Sequence, residues 1–511
     1  MRNMFYIYAS YLLIAILNFV VRRIFVDVLT VDYLGYDGLF TSVFSYLSIS
    51  EMGIASIITY HMYSEIATEN VFQIRKLLYI YKKIYRLIGL FVLVAGTAAC
   101  FFIPLILEGQ ELKDDWSFIY LIYFLQLLST LCTYFFAYRR ILFVTHQRIY
   151  VCTVVDTLVN MVCVITKMIV LLKWRNYILY LLITIANNLL TNLIISALSR
   201  KEYPEITKIG VNSEDMKALN LFHEVKNMLV TKIATTVYGA SDNIIITRIL
   251  GIETTGLIEN YRMITSKINE LILSLFNSLQ ASIGNLVYDD DQKKGAGFFR
   301  ALDLSGFYLG IVSASGLIAV GQPFVLCWLK KESLLLPYAF LIALSVNVFL
   351  GICNNPIVYF RNTLGHFEAD RNYMVAAAIT NIILSIVLGI RFGITGVMIG
   401  TVIGHILIYV GRTTVVYRYY LKEGPARQYL VFAFRFLLLG ISAASSAFTA
   451  GWIGDHVPNA VLSLILSGLS SVVISTAVFI ISSIRTEAFG IILIYAKRIM
   501  DTKRRRKKEE V

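Results

Sequence analysis

Apolar stretches of roughly twenty residues recur along almost the whole chain, the length that crosses a hydrocarbon core about 30 Å thick. They are rich in Leu, Ile and Val, and they lack the alternation over about ten residues that a membrane barrel requires. Composition agrees: of 511 residues, 57% are hydrophobic, 15% are charged and only 7 are proline, whereas a soluble globular chain is about 25% charged. The chain is therefore expected to be an all-α polytopic membrane protein. Helices are expected near 8–28, 36–62, 83–107, 117–143, 149–172, 177–198 and 227–249. The series continues near 253–287, 301–323, 335–360, 371–390, 394–418, 428–453 and 459–482, about fourteen spans in all.

No cleavable leader is expected. Tyr11 to Val21 has the apolarity of a signal core, but Arg22-Arg23 follows where a small-residue cleavage site belongs. The six cysteines lie in apolar segments with no C-x-x-C pair, and read as small packing residues rather than metal ligands or disulfides.

Basic residues set the orientation, because cytoplasmic loops are enriched in Lys and Arg. With the amino terminus inside, Arg75, Lys76, Lys82 and Lys83 fall on the inner side, as do Arg139 and Arg140, Lys293 and Lys294, and the tail KRRRKK (503–508). Two of the short outer loops are acidic, one with Asp27, Asp32 and Asp37, the other with Glu108, Glu111, Asp114 and Asp115. Both termini are expected in the cytoplasm. The net charge of +13 is mostly this orientation signal, so no nucleic-acid partner is read from it. The tail could also touch anionic membrane lipid.

The chain repeats itself with an offset of about 216–221 residues. YLGYDGLF (33–40) matches ILGIETTGLI (249–258), QIRKLLYIYKKIY (73–85) matches QKKGAGFFRALDL (292–304), and Pro104 corresponds to Pro323. A repeat unit of six helices keeps both copies in the same orientation, related by a pseudo-two-fold axis along the membrane normal. The expected organisation is a six-helix bundle (1–198), a cytoplasmic linker (199–226), a second six-helix bundle (227–420), two extra helices (421–484) and a basic tail (485–511). Within the linker, 213–226 has the pattern of a surface helix capped by Ser213.

Several chemistries lack their motifs. No Gly-Lys dipeptide exists, so there is no phosphate loop of the ATPase type. There is no H-E-x-x-H, and His366-x-Glu368 has no nearby cysteines. No catalytic residue, metal site or cofactor is expected, and no expected outer loop is long enough to form a soluble catalytic domain.

The polar residues inside the spans are the candidates for function, since a charge at a helix centre costs about 2.5–3.5 kcal/mol on insertion scales. On a helical wheel Glu259, Arg262, Ser266, Glu270, Asn277 and Gln280 form one stripe about 80° wide, with Lys267 at its flank. On the preceding helix Lys232, Thr235, Thr236, Gly239 and Asn243 share a direction, with Asp242 at the border. Asn18 and Arg22 share a face at i, i+4, Arg23 has Asp27 at i+4, and Glu51 stands in the second helix. Such a set either pairs internally, as interhelical glue, or lines a wet cavity between the repeats.

DYLGYDGLF (32–40), SEMGIASII (50–58), SEIATENVFQIRKLLYIYKKIY (64–85), ASDNIIITRILGIETTGL (240–257), ENYRMI (259–264) and FNSLQASIGNLV (276–287) together resemble one family. It is the Wzx-type polysaccharide flippases of the multidrug/oligosaccharidyl-lipid/polysaccharide superfamily, and the resemblance spans essentially the whole chain. It implies a multi-pass protein of the bacterial inner membrane that moves undecaprenyl-diphosphate-linked oligosaccharide outward for O-antigen (lipopolysaccharide), capsule or exopolysaccharide assembly. It further implies that Arg22, Lys232, Arg262 and Lys267, with Asn18, hold the diphosphate and sugar in a cationic cavity. A polysaccharide polymerase is a further candidate partner. Glu51, Asp242, Glu259 and Glu270 are then either ion pairs or carboxylates that couple H+ or Na+. Two alternatives stay open: a drug or cation antiporter of the same superfamily, and a membrane-embedded enzyme of glycan assembly.

Overall fold

The computed structural model describes residues 2–48, 54–207, 221–287, 292–364, 369–495 and 497, and among them the regular structure is helical throughout. Glu51, Ser213, His366, Glu368 and the tail 503–508 lie outside the described residues. The helices are α1 (Arg2–Val28), α2 (Asp32–Leu47), α3 (Ile54–Ala67), α4 (Val71–Ala99), α5 (Trp116–Phe136), α6 (Ile149–Trp174) and α7 (Tyr177–Glu202). They continue as α8 (Leu221–Leu250), α9 (Ile252–Val287), α10 (Gln292–Leu329), α11 (Tyr338–Leu364), α12 (Arg371–Val415), α13 (Ala426–His456) and α14 (Ala460–Ser483).

Fourteen crossings fit this series once two elements are read correctly. The expected second span is divided between α2 and α3, on either side of residues 49–53. The expected eleventh and twelfth spans are the two halves of α12, which part at Gly393, whose φ of 62° and ψ of −145° belong to no helix. Asn381 donates to Thr401 and Ser385 to the Val397 carbonyl across the break, so the halves fold back on each other. Nine described segments are long and apolar enough to cross a membrane, the longest being Arg371–Leu421 with its kink. The helices that miss this criterion are α1, α2, α3, α8 and α9, which carry every intramembrane charge singled out above that falls within the described residues.

Helix starts are written locally. Asn70, Asn176 and Asn459 each cap the helix that follows, their side-chain oxygens accepting from Gln73, Leu179, and Val461 with Leu462. Each cap satisfies backbone N–H groups that the first turn leaves without partners.

By packing the chain forms two compact units, residues 1–259 and 260–511. The boundary follows from α8 and the first turns of α9, which pack on α2. A Cβ on Gly35 would sit 2.1 Å from the carbonyl oxygen of Ile252, and one on Gly256 would sit 2.2 Å from that of Val31. The two contacts are reciprocal, pairing Val31 with Gly256 and Gly35 with Ile252, as a two-fold relation requires. The spatial register of this motif is therefore an offset of 221, the upper end of the range read from the sequence.

In the first unit α1 packs on α6, α5 on α7, and α6 on α7, while α4 packs on α3 and α5. In the second unit α10 is central, packed on α11, α13 and α14, with α12 on α11. Serines let these helices approach: Ser315 of α10 donates to Ser442 of α13 at 2.9 Å, and Ser442 meets Ser475 of α14 at 2.9 Å. Without a hydrophobic driving force between helices in lipid, small residues and hydrogen bonds of this kind hold them together.

Candidate functional site

The interior of the first unit is polar, because four helices turn a polar stripe inward at i, i+4 spacing. On α2 the stripe is Asp37, Thr41 and Ser45; on α5 it is Gln126, Ser129, Thr130 and Thr133. On α6 it is Asp156, Asn160 and Lys167, and on α7 it is Tyr180, Thr184, Asn188 and Asn192. Two adjoining cavities, of about 430 Å³ and 340 Å³, lie along these stripes and share Thr133 and Asn188. From Tyr180 to Asn192 the polar seam runs about 18 Å at 1.5 Å per residue.

Asp37 anchors one end. Its carboxylate faces the larger cavity and accepts a 3.1 Å hydrogen bond from Gln126 Nε2. The field on it comes from Arg22 and Lys167, opposed by Glu259. Lys167 sits 4.5 Å over the ring of Tyr180. Aromatic rings close this end, with Tyr33 stacked on Tyr177 at 4.5 Å and Phe25 edge-on to Tyr177 and Tyr180. At the other end Arg140 grips Asp156 through two hydrogen bonds of 2.9 and 2.6 Å.

The position of Asp37 corrects the sequence reading, which put it in an acidic outer loop. Helix α2 begins at Asp32, four residues before the expected span, and that turn carries Asp37 into the bundle. Asp32 itself is buried and paired with Lys113 at 2.7 Å. Nearby, burial pushes the Asp114 carboxyl up from its ordinary value, and a 3.1 Å hydrogen bond from Tyr33 acts against that.

The residues expected from sequence are distributed as follows. Arg22 and Asn18 are half-buried on α1, and Arg22 Nη1 is buried with no hydrogen-bond partner among the described residues. Asp242 is buried on α8, in the electrostatic field acting on Tyr46. Lys232 lies on the same helix, its side chain outside those described. Glu259 is held against α2: Asn243 Nδ2 donates to it at 3.2 Å, and also to the Gly38 carbonyl at 3.0 Å and Ser42 Oγ at 3.1 Å. Arg23 and Asp27 form an ion pair at 3.9 Å.

Arg262, Lys267 and Glu270 belong to the second unit. Lys267 is paired with Glu270 at 2.7 Å, three residues along α9, and Arg262 is half-buried. Ser266, Glu270, Asn277 and Gln280 of the stripe are exposed, while Tyr261, Thr265, Ile272, Phe276 and Ile283 form the buried face. Thus Arg22 and Glu259 act on Asp37 within the first unit, and Lys267 and Glu270 neutralise each other in the second.

The sequence reading missed Lys167, Gln126, Asn188 and the Arg140–Asp156 pair. Their signal was present as i, i+4 polar spacing in α2, α6 and α7, diluted by the apolar residues that face lipid.

The family described as "Polysaccharide biosynthesis protein" matches residues 1–279. No curated protein matches significantly by sequence. Among solved structures, the chain is similar to "Lipid II flippase MurJ, inward closed conformation" (TM-score 0.66, 16% identity, covering 94% of this chain and 100% of that one). It is also similar to an inward-facing multidrug resistance MATE family transporter of the MOP superfamily (TM-score 0.59, 13% identity, 78% and 92% covered). A third is the Vibrio cholerae MATE transporter VcmN (TM-score 0.55, 10% identity, 83% and 98% covered). At such identities the likeness is one of fold. This multi-pass membrane chain belongs to the polysaccharide biosynthesis protein family and has the fold of the MOP-superfamily transporters.

Proposed function

We infer that the protein is a flippase that carries undecaprenyl-diphosphate-linked oligosaccharide from the cytoplasmic to the periplasmic leaflet of the inner membrane, for surface polysaccharide assembly. One observation carries the reading: within a polysaccharide-family chain, Arg22 presents a buried guanidinium N–H with no protein acceptor among the described residues. A guanidinium at membrane depth is costly unless an anion completes it, and a diphosphate accepts in the planar, two-pronged manner that Arg favours. That a chain of similar fold is a lipid II flippase supports the same reading.

The membrane potential supplies the direction. With the interior negative and both termini inside, outward movement of a diphosphate is helped by about 2.3 kcal/mol per charge per 100 mV. No ATP is needed. Resetting the empty, positively charged carrier is the opposed step, and H+ or Na+ binding to a carboxylate would bias it. A second reading, a drug or cation antiporter, is favoured by one feature, the Asp37 carboxylate facing a cavity.

The test is reconstitution in nanodiscs with undecaprenyl diphosphate. Binding should be weakened about 10- to 100-fold by Arg22→Ala, the loss of charge-assisted hydrogen bonds, and restored in part by Arg22→Lys. Absence of any binding to undecaprenyl diphosphate, together with saturable binding of a lipophilic cation that Asp37→Asn abolishes, would select the antiporter.

A further inference from the structure

We propose that the polar seam of the first unit is a saccharide site, which takes the sugar portion of the lipid-linked substrate while the diphosphate is held elsewhere. The proposal rests on the flippase reading and assigns a part of the substrate to residues that reading does not use.

The chemistry of the lining decides the class of ligand. Hydroxyl and amide side chains dominate it, among them Thr41, Gln126, Thr133, Thr184 and Asn188. Such groups both donate and accept, as sugar hydroxyls do. The charges on the lining are balanced: Lys167 accompanies Asp37 in the larger cavity and Arg140 grips Asp156 in the smaller, two cations with two anions, leaving no excess to attract a phosphate or a free cation. No group of three or more His, Cys, Asp or Glu among the described residues is arranged to hold a metal ion. The larger cavity, about 430 Å³, lies in the range of about 300–1,000 Å³ typical of small-molecule sites. The adjoining 340 Å³, lined by Asn160, Asn187 and Asn192, extends it in the same chemistry. Asn187 Oδ1 is buried there with no hydrogen-bond partner among the described residues, an acceptor waiting for a donor. Phe44, Tyr134 and Tyr180 add aromatic rings to the lining.

The seam also adapts to the free state. Asn188 Nδ2 donates to Ser129 Oγ at 2.9 Å, and Thr133 donates to the Thr130 carbonyl at 2.7 Å. These are weak neutral bonds between neighbours, which a sugar can exchange for its own without leaving a buried group unsatisfied.

The experiment compares two probes on the full chain in nanodiscs: undecaprenyl diphosphate without sugar, and the polyprenyl-diphosphate glycolipid extracted from the source cell. The wild type should bind the glycolipid at least tenfold tighter. Thr184→Val, which removes a hydroxyl at constant shape, should cut the affinity for glycolipid about fivefold. Combined with Asn188→Leu, the cut should reach about fiftyfold, with affinity for the sugar-free lipid unchanged in both variants. Free oligosaccharide released from the same glycolipid should compete weakly against the wild type and not at all against the double variant. Thr184→Val keeps the test valid if the double variant does not fold, as judged by its elution and melting profiles. Equal affinity of the wild type for both lipids, or an unchanged ratio in folded Thr184→Val, overturns the saccharide site and leaves the flippase reading standing. Failure of the wild type to bind either lipid overturns both.

Discussion

Asp303 and Arg435 meet at 2.8 Å inside the second unit, each less than a tenth exposed. Gln428 donates to the same Asp303 oxygen at 3.1 Å, and the Arg435 guanidinium also lies 5.1 Å from the centre of the Phe307 ring. The pair ties α13 to α10, so the helices beyond the repeat are docked by a charge contact as well as by serines. Removing one partner of a buried pair leaves the other charge uncompensated, a cost of about 3–5 kcal/mol. Arg435→Ala should therefore lower the melting temperature in detergent sharply. The double variant Asp303→Asn with Arg435→Met should recover much of the loss. A double variant as unstable as the sum of its singles would show that the two residues act independently. At this scale the sequence was only partly legible. Asp37 lies in a motif that is plain in the sequence, yet its position in the bundle depended on where α2 begins.

Among the elements, the junction of α8 and α9 is the most constrained. Only Gly251, at φ 93°, separates the two helices, and this left-handed conformation suits glycine. The ends it exposes are met from the loop that follows α4: Gln110 Nε2 donates to the Thr247 carbonyl at 2.8 Å, and its Oε1 accepts from Ile252 N at 2.9 Å. Thr247 and Thr255 hydroxyls close the contact at 2.8 Å. Beside this junction Gly35 and Gly256 touch backbone oxygens, which cannot move aside as a side chain would. Gly35→Ala and Gly256→Ala should each destabilise by about 3 kcal/mol or more, through overpacking against backbone. Gly239→Ala and Gly316→Ala, whose Cβ positions meet nothing within 4 Å, should be neutral or stabilise by up to about 1 kcal/mol. Thermal unfolding of the four variants in one detergent checks this. Equal melting points for all four would refute the close approach.

For the whole molecule, the distribution of Lys and Arg makes a topology that can be tested independently of transport. Reporter fusions after Lys76 and Lys293 should report a cytoplasmic position, and those after Glu111 and Asp455 a periplasmic one. A single reversal would break the fourteen-span arrangement from that point onward.

Fold class, helix series and repeat were written in the sequence by itself, because in lipid every backbone group must be satisfied within a helix. Long apolar runs, asparagine caps and glycine breaks then leave little choice. The polar seam was decided only by tertiary structure. Asp37, Gln126, Lys167 and Asn188 come from four helices spread over about 150 residues of chain. A hydroxyl or amide on one helix has the same sequence signature whether it faces lipid, a neighbour or a cavity. Bundle packing turned these four stripes toward one another, and only then did they make a site.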